Sequence, residues 1–193
     1  MLIEVDIRSY WRAGTGGGEV GGIDALCAVD HDGLPYLPGK HLKGLLRDAL
    51  NQAISFGHVN PEATKVLFGE RGFENSAGDL IPFSRAGKGC LRVDSAHLSA
   101  ADRWTIIGAA ERDKLIPQLF RTIQSTAIDE NSGAAKAESL RLEQVAVPLR
   151  LEFEVTGPSG DWEQSLKAAL PLIRAVGQKR TRGLGRAVLR CRS

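Results

Sequence analysis

Residues 162–191 read WEQSLKAALPLIRAVGQKRTRGLGRAVLRC and predict a helix, a glycine-rich loop and a strand, in that order. Apolar residues of the first part recur at helical spacing, at Trp162, Leu166, Ala169, Leu170 and Ile173. Pro171 lies late in this pattern, so we expect it to kink or shorten the helix. Residues 184–191 predict a strand whose buried face carries Ala187, Leu189 and Cys191.

The N-terminal part of the chain shows a similar succession. Alternating apolar and charged residues predict a strand over residues 2–8. Leucine and alanine at helical spacing predict a helix over residues 40–55. Two short apolar pieces, residues 80–83 and 90–93, predict a pair of strands, and residues 100–122 show no clear pattern.

The segment between these halves completes the order of elements. Residues 123–143 are polar and predict an exposed hairpin or flap, and unbroken alternation over residues 145–155 predicts one long strand. The order β, α, ββ, flap, β, α, β favours an α+β fold, ferredoxin-like or of RNA-recognition type. The length favours a single domain over residues 1–193.

The charge of the chain is uneven. The formal net charge is +2, yet eight basic residues and no acidic residue follow Glu163, which favours a polyanionic partner such as a nucleic acid. A signal peptide and an apolar stretch of membrane-spanning length are both absent from the sequence, so we expect a cytoplasmic protein with no membrane partner. Odd, widely spaced cysteines argue against disulfides or a zinc site, and we expect all three to be buried: Cys27, Cys90 and Cys191.

Residues 177–186, the glycine-rich loop, suit phosphate binding. Backbone N–H groups beside glycine can form an anion nest, and guanidinium groups bind phosphate in a bidentate manner. The loop lacks the Walker A pattern and does not follow a strand as a dinucleotide-binding loop does, so nucleoside triphosphate chemistry is not expected. We interpret it as a clamp on an RNA backbone. The alternative is a basic turn with solvated arginines.

Further short motifs precede this loop. They are Gly-Gly-Ile-Asp at 21–24, Pro-Gly-Lys-His-Leu-Lys-Gly at 38–44, Leu-Phe-Gly at 67–69, Leu-Arg-Val-Asp-Ser-Ala at 91–96 and Ile-Asp-Glu-Asn-Ser-Gly-Ala-Ala at 128–135. Together with the loop, and in this order, they resemble the RAMP superfamily of CRISPR-associated proteins. The resemblance is to the backbone subunit of type III (Csm and Cmr) interference complexes in particular.

The resemblance implies a filament subunit. Copies would stack along a CRISPR guide RNA beside other CRISPR-associated subunits, and the flap, with Ile128 and Asp129, would act as a thumb between guide and target base pairs. The implied palm binds the guide backbone. The RNA-binding positions are Lys40, His41, Lys43, Arg47, Gly177, Lys179, Arg180, Arg182, Gly183, Gly185 and Arg186.

The resemblance also implies an endoribonuclease. In that family the aspartate of the Gly-Gly-Ile-Asp loop carries metal-dependent cleavage of bound single-stranded target RNA, and the matching residue is Asp24. Independently, a carboxylate on a glycine-rich loop is a suitable ligand for Mg²⁺ or another divalent cation. Three alternatives stay open: Asp24 as a turn residue bonded to its own backbone, a catalytically inactive RNA-binding subunit, and a guide-processing endonuclease that uses His41 or His58.

Overall fold

The computed structural model describes residues 1–14, 16, 22–69, 89–129, 133–135 and 139–192. Strands and helices follow one another in the order β1 (Leu2–Ile7), α1 (Gly39–Ser55), α2 (Ala63–Phe68), β2 (Arg92–Val93), α3 (Ala100–Ile107), α4 (Arg112–Gln118), β3 (Phe120–Ser125), β4 (Arg141–Ala146), β5 (Arg150–Thr156), α5 (Trp162–Ala169) and β6 (Ala187–Cys191).

Four strands form an antiparallel sheet in the spatial order β2-β5-β1-β6. β1 lies between two neighbours, so that Val5 pairs with Leu151 of β5 on one side and with Leu189 of β6 on the other. Counted along the chain, these strands have the order 2-3-1-4, which is that of a ferredoxin-like βαββαβ sheet. The predicted α+β fold is confirmed.

Two helices pack on one another and on this sheet. The inward stripe of α1 is apolar and buried: Leu42, Leu45, Leu46, Ala49, Leu50 and Ala53. α5 packs against α1 and adds Leu166 and Ala169 to the same core, which also contains Ile3 and Val5 of β1. Burial of one helical stripe against alternate strand residues is what the two periodicities predict. A 3-10 turn containing Pro171 follows α5, in agreement with the expected shortening.

The prediction of a single long strand over residues 145–155 is wrong. Two strands occupy this stretch: β4 pairs with β3 in a separate hairpin, and β5 pairs with β1 in the main sheet. Pro148 lies at the break and has no N–H to donate to a strand ladder. The N–H of Val147, just before the break, donates to the carbonyl of Leu119, the residue before β3. Apolar alternation continues across the break because both strands bury one face, so the pattern hides the change of sheet.

The predicted flap, residues 123–143, corresponds to the outer part of the antiparallel hairpin β3–β4. Ser125 pairs with Arg141 at the end of the two strands, and a bridge between Ile128 and Ala135 continues the pairing beyond them. Glu143, in contrast, is buried. The base of the hairpin therefore belongs to the body of the domain, whereas we expected all of residues 123–143 to be exposed.

The remaining predicted elements are only partly tested. Of residues 90–93, β2 forms as Arg92–Val93 and pairs with β5. The predicted partner strand over residues 80–83 lies outside the described residues. Residues 100–122, which show no clear pattern in the sequence, contain α3, α4 and the start of β3.

One of the three cysteines is buried as expected, and the other two are not. Cys27 is buried, and burial raises the pKa of its thiol to about 12. Cys90 is exposed and Cys191 is partly exposed, so the prediction of three buried thiols is wrong for these two.

In the described part of the chain, every helix is too short or too polar to cross a membrane.

Candidate nucleic-acid interface

The glycine-rich loop, residues 177–186, is fixed by bonds to two distant segments. The N–H of Gln178 donates to the carbonyl of Arg12, which follows β1, at 2.8 Å. The N–H of Gly177 donates to Nε2 of His41, in the first turn of α1, also at 2.8 Å. The loop therefore has a defined place between the end of β1 and the start of α1.

Gly185 occupies a position that only glycine fits. Its φ is +69°, and a Cβ there would lie far inside van der Waals contact with the carbonyl oxygen of Val176. Its N–H donates to the carbonyl of Tyr10 at 2.7 Å, and its own carbonyl accepts from the N–H of Val176 at 2.8 Å. The backbone cannot move aside without breaking these bonds.

We expect Gly185→Ala to lower the free energy of unfolding by about 3 kcal/mol, from backbone strain and steric overlap together. Gly183 is a matched control, because its φ is +88° but a Cβ there would have nothing within 4 Å. Gly183→Ala should lower the free energy of unfolding only by the backbone strain, about 1 kcal/mol. Urea unfolding of both variants measures the difference, and equal losses would contradict the steric explanation.

The cationic side chains of the loop have two different environments. Arg180, Arg182 and Arg186 are exposed, and the first two belong to a 3-10 turn. Lys179 turns inward instead, and its Nζ binds Oε1 of Glu143 in β4. The exposed arginines are thus the groups of this loop that a phosphate backbone can reach directly.

A cleft of about 430 Å³ lies between the hairpin and the glycine-rich loop. Its lining consists of Ser125, Thr126, Ala127, Ile128, Arg141, Lys179 and Arg182. The exposed guanidinium groups of Arg141 and Arg182 and the hydroxyls of Ser125 and Thr126 suit a polyanion. Of the two predicted flap residues, Ile128 lines this cleft and is 69% exposed, and the N–H of Asp129 donates to the carbonyl of Ala134 within the hairpin.

Asp24 is exposed and lies alongside β4. Its N–H donates to the carbonyl of Leu142 at 2.8 Å, and the N–H of Leu142 donates to its Oδ2 at 2.7 Å. The next residue, Ala25, forms a parallel bridge with Glu143. These bonds join residues far apart in sequence, in contrast to the local turn that was the alternative interpretation of Asp24.

Asp24 offers one exposed carboxylate to a metal ion. In the described ranges, no group of three metal-binding side chains includes Asp24. This donor set still fits Mg²⁺, which commonly takes one or two protein carboxylates and completes its coordination with water and substrate phosphate.

A second acidic group lies in the turn after Cys27. Ligand atoms of Asp30, His31 and Asp32 lie within 4.8 Å of one another, so this group could hold a metal. Arg103 of α3, however, already binds both carboxylates. Burial opposes ionisation of Asp30, but hydrogen bonds from Arg103 and from the backbone outweigh it and hold the pKa of this carboxyl below its usual value. The group therefore already contains its own counter-charge.

The basic residues at the start of α1 mainly bind protein groups. Nζ of Lys43 donates to the carbonyl of Leu91, and Nη2 of Arg47 donates to the carbonyl of Gly69, each at 2.7 Å. Lys40 is exposed. Of the RNA-binding residues predicted in this helix, Lys40 is thus the one that faces solvent, and the others fix α1 to neighbouring segments.

His41 makes the attachment of the loop sensitive to pH. Burial lowers the pKa of His41, and the charge of Arg180 lowers it further. The neutral ring accepts the N–H of Gly177, whereas a protonated ring has no free lone pair with which to accept it. At a pH below 6.5, the ordinary pKa of histidine, the unfolded chain binds a proton at His41 more readily than the folded chain does.

The expected result is a loss of stability in acid. The contribution of His41 is present above its unfolded pKa and is lost as the pH falls through the lowered folded value. We expect the Tm to fall between about pH 7.5 and about pH 5, and to fall less in His41→Gln, whose side-chain oxygen accepts at every pH. Thermal melts across this range provide the measurement. An identical pH dependence in both proteins would remove His41 as the cause.

Two buried charged residues beneath the loop were not found from the sequence. The side chains of Arg12 and Glu143 are 7% and 5% exposed, and Nη2 of Arg12 lies 3.5 Å from Oε2 of Glu143. Their partners are remote in sequence, so no local motif marks them. The one available signal is that Glu143 shares a strand face with Val145, where a buried apolar residue is the usual choice.

Comparison with known proteins agrees with this architecture. A chain of the type III-B Cmr-beta complex bound to cognate target RNA has a TM-score of 0.71 at 11% identity, with 98% of this chain and 95% of that chain covered. A chain of Cmr-beta in the apo state has a TM-score of 0.69 at 12% identity, with the same coverage. No curated protein sequence matches significantly. The sequence matches the RAMP superfamily over residues 5–188, and the chain belongs to that superfamily.

Proposed function

We propose that the chain is an RNA-binding subunit of a type III CRISPR effector complex that holds the guide RNA and cleaves bound target RNA. Membership of the RAMP superfamily supports this, as does the fold shared with a chain of a Cmr-beta complex bound to target RNA. The partners would be guide RNA, single-stranded target RNA, neighbouring copies of this chain and other CRISPR-associated subunits. The place of action would be the cytoplasm.

The observation that carries the proposal is the exposed cationic surface of the glycine-rich loop beside the hairpin cleft. Arg180, Arg182 and Arg186 are exposed on a loop whose backbone is fixed to the rest of the domain. Contacts to phosphate provide affinity without sequence information, as required of a subunit that accepts many guide sequences. The hairpin, with Ile128 and Asp129, would serve as the thumb between guide and target.

Cleavage would use Asp24. We infer in-line attack by the ribose 2′-oxygen: this oxygen bonds to phosphorus, the bond from phosphorus to the 5′-oxygen breaks, water takes the 2′ proton, and the 5′-oxygen takes a proton from water. The products are a cyclic phosphate and a 5′-hydroxyl. Mg²⁺ bound by Asp24 would supply positive charge to the scissile phosphate. The backbone bonds to Leu142 hold the carboxylate of Asp24 in place beside the hairpin.

A cleavage gel tests the proposal. The assembled complex, loaded with a guide, is incubated with end-labelled complementary RNA, with Mg²⁺ or with EDTA. Cuts at fixed positions with Mg²⁺ and none with EDTA are expected. If target RNA is bound but is not cut at any divalent-metal concentration, the catalytic part of the proposal fails.

A catalytically inactive RNA-binding subunit is the second candidate. It is favoured by the hydrogen bond that one oxygen of the Asp24 carboxylate already accepts from the N–H of Leu142. Guide processing by a histidine is less well supported. Nε2 of His41 accepts the N–H of Gly177 and is therefore not free to take a proton from a ribose hydroxyl.

A further inference from the structure

Glu143 is a buried carboxylate bound by cations from two separate segments. Its side chain is 5% exposed and lies in β4, at the base of the hairpin. Nζ of Lys179, from the glycine-rich loop, binds Oε1, and Nη2 of Arg12, after β1, lies 3.5 Å from Oε2. Carboxylates are seldom buried this deeply unless they are paired.

The backbone around Glu143 holds the Asp24 segment. Asp24 exchanges two hydrogen bonds with Leu142, the residue before Glu143. The N–H of Gln144, the residue after it, donates to the carbonyl of Ala25 at 2.9 Å. Glu143 thus lies in the middle of the part of β4, residues 142–144, whose backbone bonds to the Asp24 segment.

Lys179 reaches Glu143 from a backbone conformation that is unfavourable for lysine. Its φ is +54°, and in the described residues it is the one non-glycine residue with a positive φ. Such conformations persist where surrounding interactions hold them, and they cluster at functional sites. The ion pair with Glu143 provides such an interaction. It also fixes the backbone position from which the turn with Arg180 and Arg182 follows.

The cluster is poorly explained by stability alone. Nε and Nη1 of Arg12 and Oε2 of Glu143 are buried and have no hydrogen-bond partner among the described residues. Unsatisfied buried polar atoms are costly, and three apolar side chains of similar size would serve a purely structural purpose at least as well. An explanation that requires charge at these positions is therefore preferable.

We propose that Glu143 is a positioning residue that fixes the distance between the guide-binding loop and Asp24, and thereby selects which phosphodiester of the target is cut. It acts through its side-chain bond to Lys179 and its backbone connection to Leu142, and it does not touch the RNA. This inference rests on the proposed function, because a cut site is meaningful only if the subunit cleaves.

The test compares Glu143→Gln with wild type in the assembled complex. Glu152→Gln is the matched control, since Glu152 is also a strand carboxylate paired with a distant arginine, Arg192, but lies in the main sheet. We expect the Glu143 variant to cut at neighbouring phosphodiesters as well as the normal one. Its single-turnover rate should fall about tenfold, with target affinity within about twofold of wild type. The control should reproduce the wild-type pattern.

Amide hydrogen exchange of the isolated full chain provides a readout that does not depend on cleavage. The amides of Gln178 and Arg182, which donate to the carbonyls of Arg12 and Lys179, should exchange about tenfold faster in Glu143→Gln. Amides of β1 should be unchanged. A wild-type complex that never cleaves defeats the proposed function and, with it, the selection of a cut site. Exchange then decides only whether Glu143 fixes the position of the glycine-rich loop.

Two results would overturn the inference: wild-type cut positions and rate in Glu143→Gln, or unchanged exchange in the loop. If Glu143→Gln does not melt cooperatively, Lys179→Met replaces it. That variant removes the same ion pair and leaves Arg12 to pair with Glu143. Wild-type cut positions in Lys179→Met would then overturn the inference in the same way.

Discussion

Asp24→Ala is expected to reduce target cleavage by about a hundredfold or more and to leave guide and target affinity within about twofold of wild type. The reason is that the carboxylate would stabilise charge that develops only in the transition state. The fold should tolerate the change at a cost of about 1 kcal/mol, since within the described ranges the exposed carboxylate makes one hydrogen bond, from the N–H of Leu142. Single-turnover cleavage and filter binding by the assembled complex measure the two quantities.

Two further variants separate charge from structure at this position. Asp24→Asn keeps an oxygen that can accept from Leu142 but removes the negative charge, so it should be as inactive as alanine. Asp161→Ala is the control, because Asp161 is an exposed loop aspartate whose side chain makes no cap bond to α5. Cleavage by Asp24→Ala at the wild-type rate would leave the inactive RNA-binding subunit as the better interpretation.

Replacing Arg180, Arg182 and Arg186 together with glutamine should weaken RNA binding and make it less dependent on salt. Each lost phosphate contact lowers the slope of log affinity against log salt by about 0.7 for single strands, so the slope should become shallower by about 2. Lys179 is left unchanged because its ion pair with Glu143 is structural as well as cationic. Fluorescence anisotropy with labelled RNA at several salt concentrations gives the slope.

The control for this experiment keeps the same change in net charge. Lys65, Lys114 and Lys167 are exposed and each pairs with a glutamate on its own helix or at its start. Their joint replacement by glutamine should leave the slope close to that of wild type. An unchanged slope in the arginine variant, or an equal change in both variants, would exclude the loop as the phosphate-binding surface.

Local periodicity was sufficient to predict the elements that bury one face in the main core. α1 follows from its leucine and alanine stripe, and β1 from its alternation, because each buries one face on the same core. The stretch from Val145 to Val155 shows the limit. Both halves bury alternate residues, but against different partners, and only Pro148 hinted that the chain changes sheet there.

The site was predictable where motifs are contiguous and not where contacts are remote. The glycine-rich loop and Asp24 are visible as short motifs, but the attachment of Asp24 to Leu142 is not. Lys179 was predicted with its arginine neighbours as an RNA ligand, yet its side chain is directed to Glu143. No pattern in the sequence indicates which cation of a basic run will be turned inward, because that depends on a carboxylate contributed by another strand.

Photo-crosslinking with thiouridine-substituted guide RNA in the assembled complex shows directly which residues contact the guide. Mass spectrometry of the cross-linked peptides identifies the positions. We expect adducts within residues 177–186 and on the hairpin residues that line the adjoining cleft, with adducts in the loop lost when its three exposed arginines are replaced. Adducts confined to α3 and α4, with none in the glycine-rich loop, would contradict the proposed binding of the guide backbone.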